Sequence, residues 1–159
     1  MKPLVLAVAL TTLSSFPMHA QRVGNVLEDV LTVAVTPTVI GDSRKVKEPA
    51  AVTIIETALR NALIASGLRI GDSATRVHLI LDEFTSGSVA KRALIGFGSG
   101  RSTVAARLIV ARDGEQLAAA PIKARGRLMF SAYEADESQR RHALNEFEER
   151  LVEALARLR

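Results

Sequence analysis

The chain of 159 residues contains no cysteine and no tryptophan, one tyrosine and three histidines. The missing thiols exclude disulfides, thiolate metal sites, a thiol nucleophile and a lipid-modified cysteine. A domain of this size buries enough apolar surface to hold together without disulfide staples. The shortage of aromatic rings removes the stacking platforms on which single-stranded nucleic acids are bound, and nucleic acid is not expected as a partner. After residue 20 no stretch approaches the ~20 apolar residues of a membrane-spanning helix.

What is present begins with a segment to set aside. Lys2 is followed by an uncharged, mostly apolar run over residues 4–13 and a polar stretch around Pro17 that ends at Ala20. This is the layout of a cleavable secretory signal. Ten residues reach only ~15 Å as a helix, about half a bilayer core, so a retained anchor is the poorer reading. The expected organisation is a signal peptide over 1–20 and one globular envelope domain over 21–159. The expected location is the periplasm, with the outer-membrane surface as an alternative seat.

Periodicity outlines the domain. Residues 31–40 (LTVAVTPTVI) are rich in β-branched side chains and read as a strand, with Pro37 marking an edge or bulge. Val52, Ile55, Leu59, Ala62 and Leu63 recur at helical spacing between Pro49 and Gly67, which predicts a helix over 49–66. A short strand follows at 68–70 and an apolar one at 77–84. Val104, Ala106, Leu108 and Val110 alternate, as do Ala118, Ala120, Ile122 and Ala124, with Asp113-Gly114 between them announcing a hairpin. The second of these strands is expected to run on towards Phe130.

Register selects the turn. A two-residue loop would oppose Val104 to Lys123, whereas a three-residue loop, Asp113 to Glu115, opposes Val110 to Ala118, Leu108 to Ala120 and Ala106 to Ile122. The apolar match favours the latter. It also puts Arg101, Thr103, Arg107, Lys123, Arg125 and Arg127 together on the face away from the core. Leu144, Phe147, Leu151, Leu155 and Leu158 then form the stripe of a C-terminal helix over 137–158. The predicted fold is α/β of the α+β type: a single, mostly antiparallel sheet of about five strands with two helices on one face, in the order β-α-β-β-β-β-α.

Catalytic patterns are sparse. Gly96, Gly98 and Gly100 sit in KRALIGFGSGRS (residues 91–102), but Arg101 occupies the place where a dinucleotide fingerprint needs glycine, and a strand follows where that motif needs a helix. The segment is therefore a strand connection, with an anion-binding nest as the alternative. His78 lies in a strand ~13 Å along an extended chain from Asp82, and the adjacent Asp82 and Glu83 point to opposite faces unless a bulge intervenes. No metal-binding spacing and no cofactor motif is present. A hydrolase using His78 or His142 is the weakest reading.

Charge says more. Residues 91–127 carry eight Lys/Arg against two Asp/Glu, a net of +6, whereas the rest of 21–159 carries twelve against fifteen, a net of −3. Clustered cations attract phosphate-bearing surfaces such as anionic lipid or lipopolysaccharide. Lys91, Arg92, Arg101, Arg107, Lys123, Arg125 and Arg127 are the candidate cations. Leu94, Ile95 and Phe97 add an apolar element that either meets a membrane or partner or folds back over the core.

Three stretches carry a resemblance: VHLILDEFTSGS (77–88), ALIGFGSGRS (93–102) and ARLIVARDGE (106–115). They resemble the exported bacterial family called domain of unknown function 4410. The resemblance implies a compact α/β envelope domain and no defined reaction. Many members look like lipoproteins, which this cysteine-free chain does not. The topology is also similar to envelope assembly proteins, including the curli-secretion channel and the N-terminal domain of the Tol translocation protein. Two functional expectations follow. One is a non-enzymatic envelope protein that binds a protein partner or an anionic envelope surface; the other is a subunit of an oligomeric outer-membrane secretion or assembly apparatus.

Overall fold

A computed structural model describes residues 25–46, 48–86, 102–126 and 136–159. In chain order the elements are β1 (Thr32–Val35), β2 (Val39–Ile40), α1 (Ala51–Ala65), β3 (Arg69–Ile70), β4 (Thr75–Ser86), β5 (Ser102–Arg112), β6 (Glu115–Arg125) and α2 (Asp136–Arg157). The two helices and the α+β class agree with the sequence reading. The expected signal segment, the glycine-rich connection and the expected extension of the last strand to Phe130 lie outside the described residues.

The six-stranded sheet is mixed rather than wholly antiparallel. Its order is β3-β1-β4-β5-β6, with β2 also pairing β4. β1 and β2 both run parallel to β4, while β4-β5 and β5-β6 are antiparallel. The parallel edge follows from connectivity: α1 lies between β1 and β4, and a helical crossover returns the chain to the end of the sheet where it started.

The expected single strand over 31–40 is split in two around Pro37. Proline offers no ladder donor, and the next N–H, that of Thr38, donates to the Glu56 carboxylate on α1 at 2.8 Å instead of to a strand.

Helix α1 ends as its sequence requires. Gly67 adopts φ +75°. Its N–H donates to the Ile64 carbonyl at 2.9 Å and the Leu68 N–H to the Leu63 carbonyl at 3.0 Å. This double closure ties off the last turn, and the buried Leu63 and Leu68 accompany it. The chain then passes directly into β3.

The core is built from four cross-strand rows: Val77-Val110-Ala118, Leu79-Leu108-Ala120, Leu81-Ala106-Ile122 and Phe84-Val104-Ala124. Onto this face pack Ile55, Leu59, Ala62 and Leu63 of α1 and Ala143, Phe147, Leu151 and Leu155 of α2, all fully buried.

The β5-β6 register is the one the apolar alternation predicts, but the turn differs. Arg112 pairs with Glu115, so the loop has two residues, Asp113 and Gly114, with φ of 52° and 85°. Both positive angles suit the tight turn whose twist matches a hairpin. The extra residue is Leu117, bulged where the register shifts between Val110 and Ala111. The bulge restores apolar matching that a bare two-residue turn would have lost.

Gly126 closes the sheet against α2. Its N–H donates to the Ser102 carbonyl at 2.8 Å. A Cβ at this position would run into the Gln139 side chain and lie 3.0 Å from the Gln139 carbonyl oxygen. Gly126→Ala is expected to lower stability by ~1–3 kcal/mol, as overpacking against backbone does, measured by chemical denaturation.

Candidate binding surface

Helices cover one face of the sheet; the other is the surface to which the candidate cations belong. Its rows run Arg76-Ala111-Gln116, His78-Ile109-Ala119, Ile80-Arg107-Pro121, Glu83-Ala105-Lys123 and Thr85-Thr103-Arg125. Thr103, Arg107, Lys123 and Arg125 thus share this face, and the last three are exposed. Lys91, Arg92, Leu94, Ile95, Gly96, Phe97, Gly98, Gly100, Arg101 and Arg127 lie outside the described residues.

The middle of the face is apolar. Ile109 is only 5 % exposed although it points away from the helices and lies apart from the core they cover. Its register partners are His78 and Ala119, and Ile80, Ala105 and Pro121 continue the apolar strip. Arg76, Lys123 and Arg125 stand around this strip. The face is therefore an apolar centre edged by Arg76, Lys123 and Arg125, with Glu83 at the other end of the Lys123 row.

Arg107 is not a free cation. The register shifts between Leu81 and Glu83, which makes Asp82 a bulged residue. Because Leu81 and Phe84 are both buried, Asp82 and Glu83 occupy the outward stretch between them rather than opposite faces. Asp82 takes a two-pronged hydrogen bond from Arg107: Nε to Oδ2 and Nη2 to Oδ1, each 3.0 Å.

That bond is the chief reason the guanidinium is held protonated even more firmly than usual. The pair remains partly exposed, with half the Arg107 side chain open to solvent, so its contribution to stability is ~1 kcal/mol or less. Gly41 lies against the Asp82 carboxylate, and its N–H donates to the Leu81 carbonyl at 2.8 Å. The lack of a side chain at Gly41 leaves room for the ion pair.

The two histidines among the described residues, His78 and His142, do not form a catalytic pair. His78 is on the open face, paired in register with Ile109. His142 is on α2, which packs on the other side of the sheet. Among the described residues no group of three or more His, Asp or Glu is placed to hold a metal ion. Nor is any described helix long and apolar enough to cross a membrane.

The fold is similar to two kinds of solved structure. PelC from Paraburkholderia phytofirmans, solved as a dodecamer in two space groups, superposes with TM-scores of 0.56 and 0.55 at 15% identity. The overlap covers 85% and 86% of this chain and 91% and 94% of that one. A Xanthomonas campestris protein of family DUF330 gives a TM-score of 0.54 at 12% identity, over 84% of this chain and 85% of its own. At such identities the likeness is one of fold. No family model and no curated protein matches the chain.

His78 supplies a pH test of the open face. Partial burial lowers the imidazole pKa from its usual 6.5, because the charged form is poorly solvated there. The unfolded chain therefore takes up this proton at higher pH than the folded one. The contribution is complete above the unfolded pKa and is lost as pH falls towards the lowered folded pKa. The stability difference between wild type and His78→Gln, followed by denaturation, is expected to be flat well above the usual histidine pKa and to shift against wild type as pH falls below it.

Proposed function

We propose that the protein is an exported, non-enzymatic protein of the bacterial cell envelope that engages a protein partner or an anionic envelope surface through its open sheet face. The observation that carries this reading is charge segregation, +6 over residues 91–127 against −3 over the rest of 21–159. Lys123 and Arg125 stand exposed at the rim of the apolar strip, where a phosphate-bearing surface would meet cations and apolar side chains together. The resemblance to domain of unknown function 4410 over residues 77–115 supports the same setting and implies no reaction.

The test is co-sedimentation with anionic and neutral liposomes, comparing wild type with the combined Lys123→Glu, Arg125→Glu and Arg127→Glu variant. Each cation near an anionic surface contributes ~1 kcal/mol, so the triple reversal is expected to weaken binding to anionic vesicles about a hundredfold or more. Wild-type binding should also fall as salt is raised. If the reversals leave both liposome and envelope association unchanged, the reading is wrong.

A second reading is a subunit of an oligomeric secretion or assembly apparatus. It is supported by the likeness of fold to PelC, whose solved form is a dodecamer. In that setting residues 93–97 act as a contact or insertion element. Light scattering on the purified protein tests it: a ring-sized species is the expected result, and a monomer at high concentration overturns it.

A further inference from the structure

One side chain at the centre of the open face belongs to the only type that ordinarily changes charge near neutral pH. His78 lies in β4 and shares the face of Arg76 and Ile80. Ile109 of β5 is its register partner, and Ala119 of β6 continues the row. The imidazole is partly buried, so it is accessible to whatever docks on this face. Lys123, at the edge of the same face, also lines a groove of about 310 Å³ between β6 and α2. The groove's Arg150 is already bonded to Glu146, which leaves the open face as the better cationic surface.

The charged neighbours of His78 can be named strand by strand. Along β4, Arg76 stands two residues before it, and the bulged Asp82 and then Glu83 follow Ile80. On β5 the diagonal neighbours are Ala111 and Arg107, and Arg107 is held by Asp82 through two 3.0 Å hydrogen bonds. On β6 the three nearest rows contribute Gln116, Ala119 and Pro121, and Lys123 comes one row later. On the other side, β1 and β2 meet β4 at Ala34, Val35, Val39 and Ile40, and residues 36–38 between them are also uncharged. Arg69 of β3 lies a further row beyond Arg76, opposite Thr32. At the hairpin end Arg112 pairs in register with Glu115, and its Nε donates to Thr75 Oγ1 at 3.0 Å. No acid belongs to the His78 row or to the Arg76 row among the described residues.

This setting keeps the imidazole neutral in the free protein, because its row is apolar, the nearest free charge is the like-signed Arg76, and burial penalises the charged form. A phosphate-bearing surface reverses the balance. Its negative charge stabilises the imidazolium, and its potential enriches protons beside it. Histidine ordinarily makes this change between pH 5 and 8. The ordinary ranges of arginine, lysine and carboxylate side chains lie outside that window. The bound state therefore holds the His78 proton more tightly than the free state does. Association takes up a proton, and by linkage it strengthens as pH falls.

We infer that the open face is an acid-strengthened contact for anionic phospholipid, in which docking is coupled to protonation of His78 at its centre. The inference rests on the anionic-surface reading proposed above and assigns its regulation to one side chain. At neutral pH, Arg76, Lys123 and Arg125 act from around an uncharged apolar strip. In mild acid the centre of the strip becomes cationic as well, and the whole face meets the phosphates with one sign of added charge.

The experiment is co-sedimentation of the purified protein, carrying no histidine tag, with phosphatidylglycerol and with phosphatidylcholine vesicles between pH 7.5 and 5.5 at fixed ionic strength. Wild type is expected to bind phosphatidylglycerol about three- to fivefold more tightly at the acid end, the worth of one added cation near such a surface. Phosphatidylcholine should show no such slope. His78→Gln removes the titration and should flatten the pH dependence, whereas His78→Lys should bind at pH 7.5 as wild type does at pH 5.5. His142→Gln, on the far side of the sheet, should keep the wild-type slope. Circular dichroism with a thermal midpoint checks that each variant folds, and His78→Asn serves if His78→Gln does not. A slope that persists in the His78 variant, or a wild type that binds equally at every pH, overturns this inference and leaves the anionic-surface reading standing. A wild type that binds phosphatidylglycerol at no pH overturns both.

Discussion

Side chains along a strand alternate between faces, so a ladder of three long strands keeps one apolar face only while its registers stay in step. In this protein the β4-β5-β6 ladder must hold Leu79, Leu108 and Ala120, and the three rows parallel to them, under both helices. Neither junction achieves this with a regular ladder. The hairpin uses a two-residue turn and corrects it with the bulged Leu117. On the other side β4 holds both Leu81 and Phe84 inward by bulging at Asp82. Without these two irregularities a one-residue slip would turn apolar side chains out towards water.

The second bulge has an effect on the far side of the sheet. It places Asp82 beside Arg107, and the absence of a side chain at Gly41 leaves space for the pair. The ion pair removes one cation from the open face, so Arg76, Lys123 and Arg125 bear more of its positive field. Between these cations lies an apolar strip that includes the nearly buried Ile109. Features of interest thus lie on the surface: an apolar strip with charged residues around it on one face, and a groove between β6 and α2. His78 and His142, the described histidines, are divided by the sheet and do not share a cleft for acid–base work.

Much of this was legible in the residues themselves. Helix α1 follows from its 3.6-residue apolar period and from Gly67, which alone accepts the left-handed closing geometry cheaply. The C-terminal stripe from Leu144 to Leu158 predicts α2 for the same reason. Apolar matching across Asp113-Gly114 gives the β5-β6 pairing correctly, because burial sets register more strongly than turn chemistry does. The turn length was misread: a bulge and a longer loop produce the same register, and nothing in the local sequence of Leu117 separates them. The parallel pairing of β1 and β2 was equally hidden, since edge partners depend on where a crossover helix returns the chain.

Alone, then, the sequence determined the α+β class, the two helices, the inward set of the three long strands and the segregation of positive charge. These are properties of periodicity and composition, which act within a few residues. Only the tertiary structure decided that Arg107 is paired with Asp82, that Ile109 is buried on the face without helices, and that a groove lies between β6 and α2. Each depends on residues far apart in the chain, brought together by strand order and bulges. Packing of the whole core selects that geometry, and no local pattern encodes it.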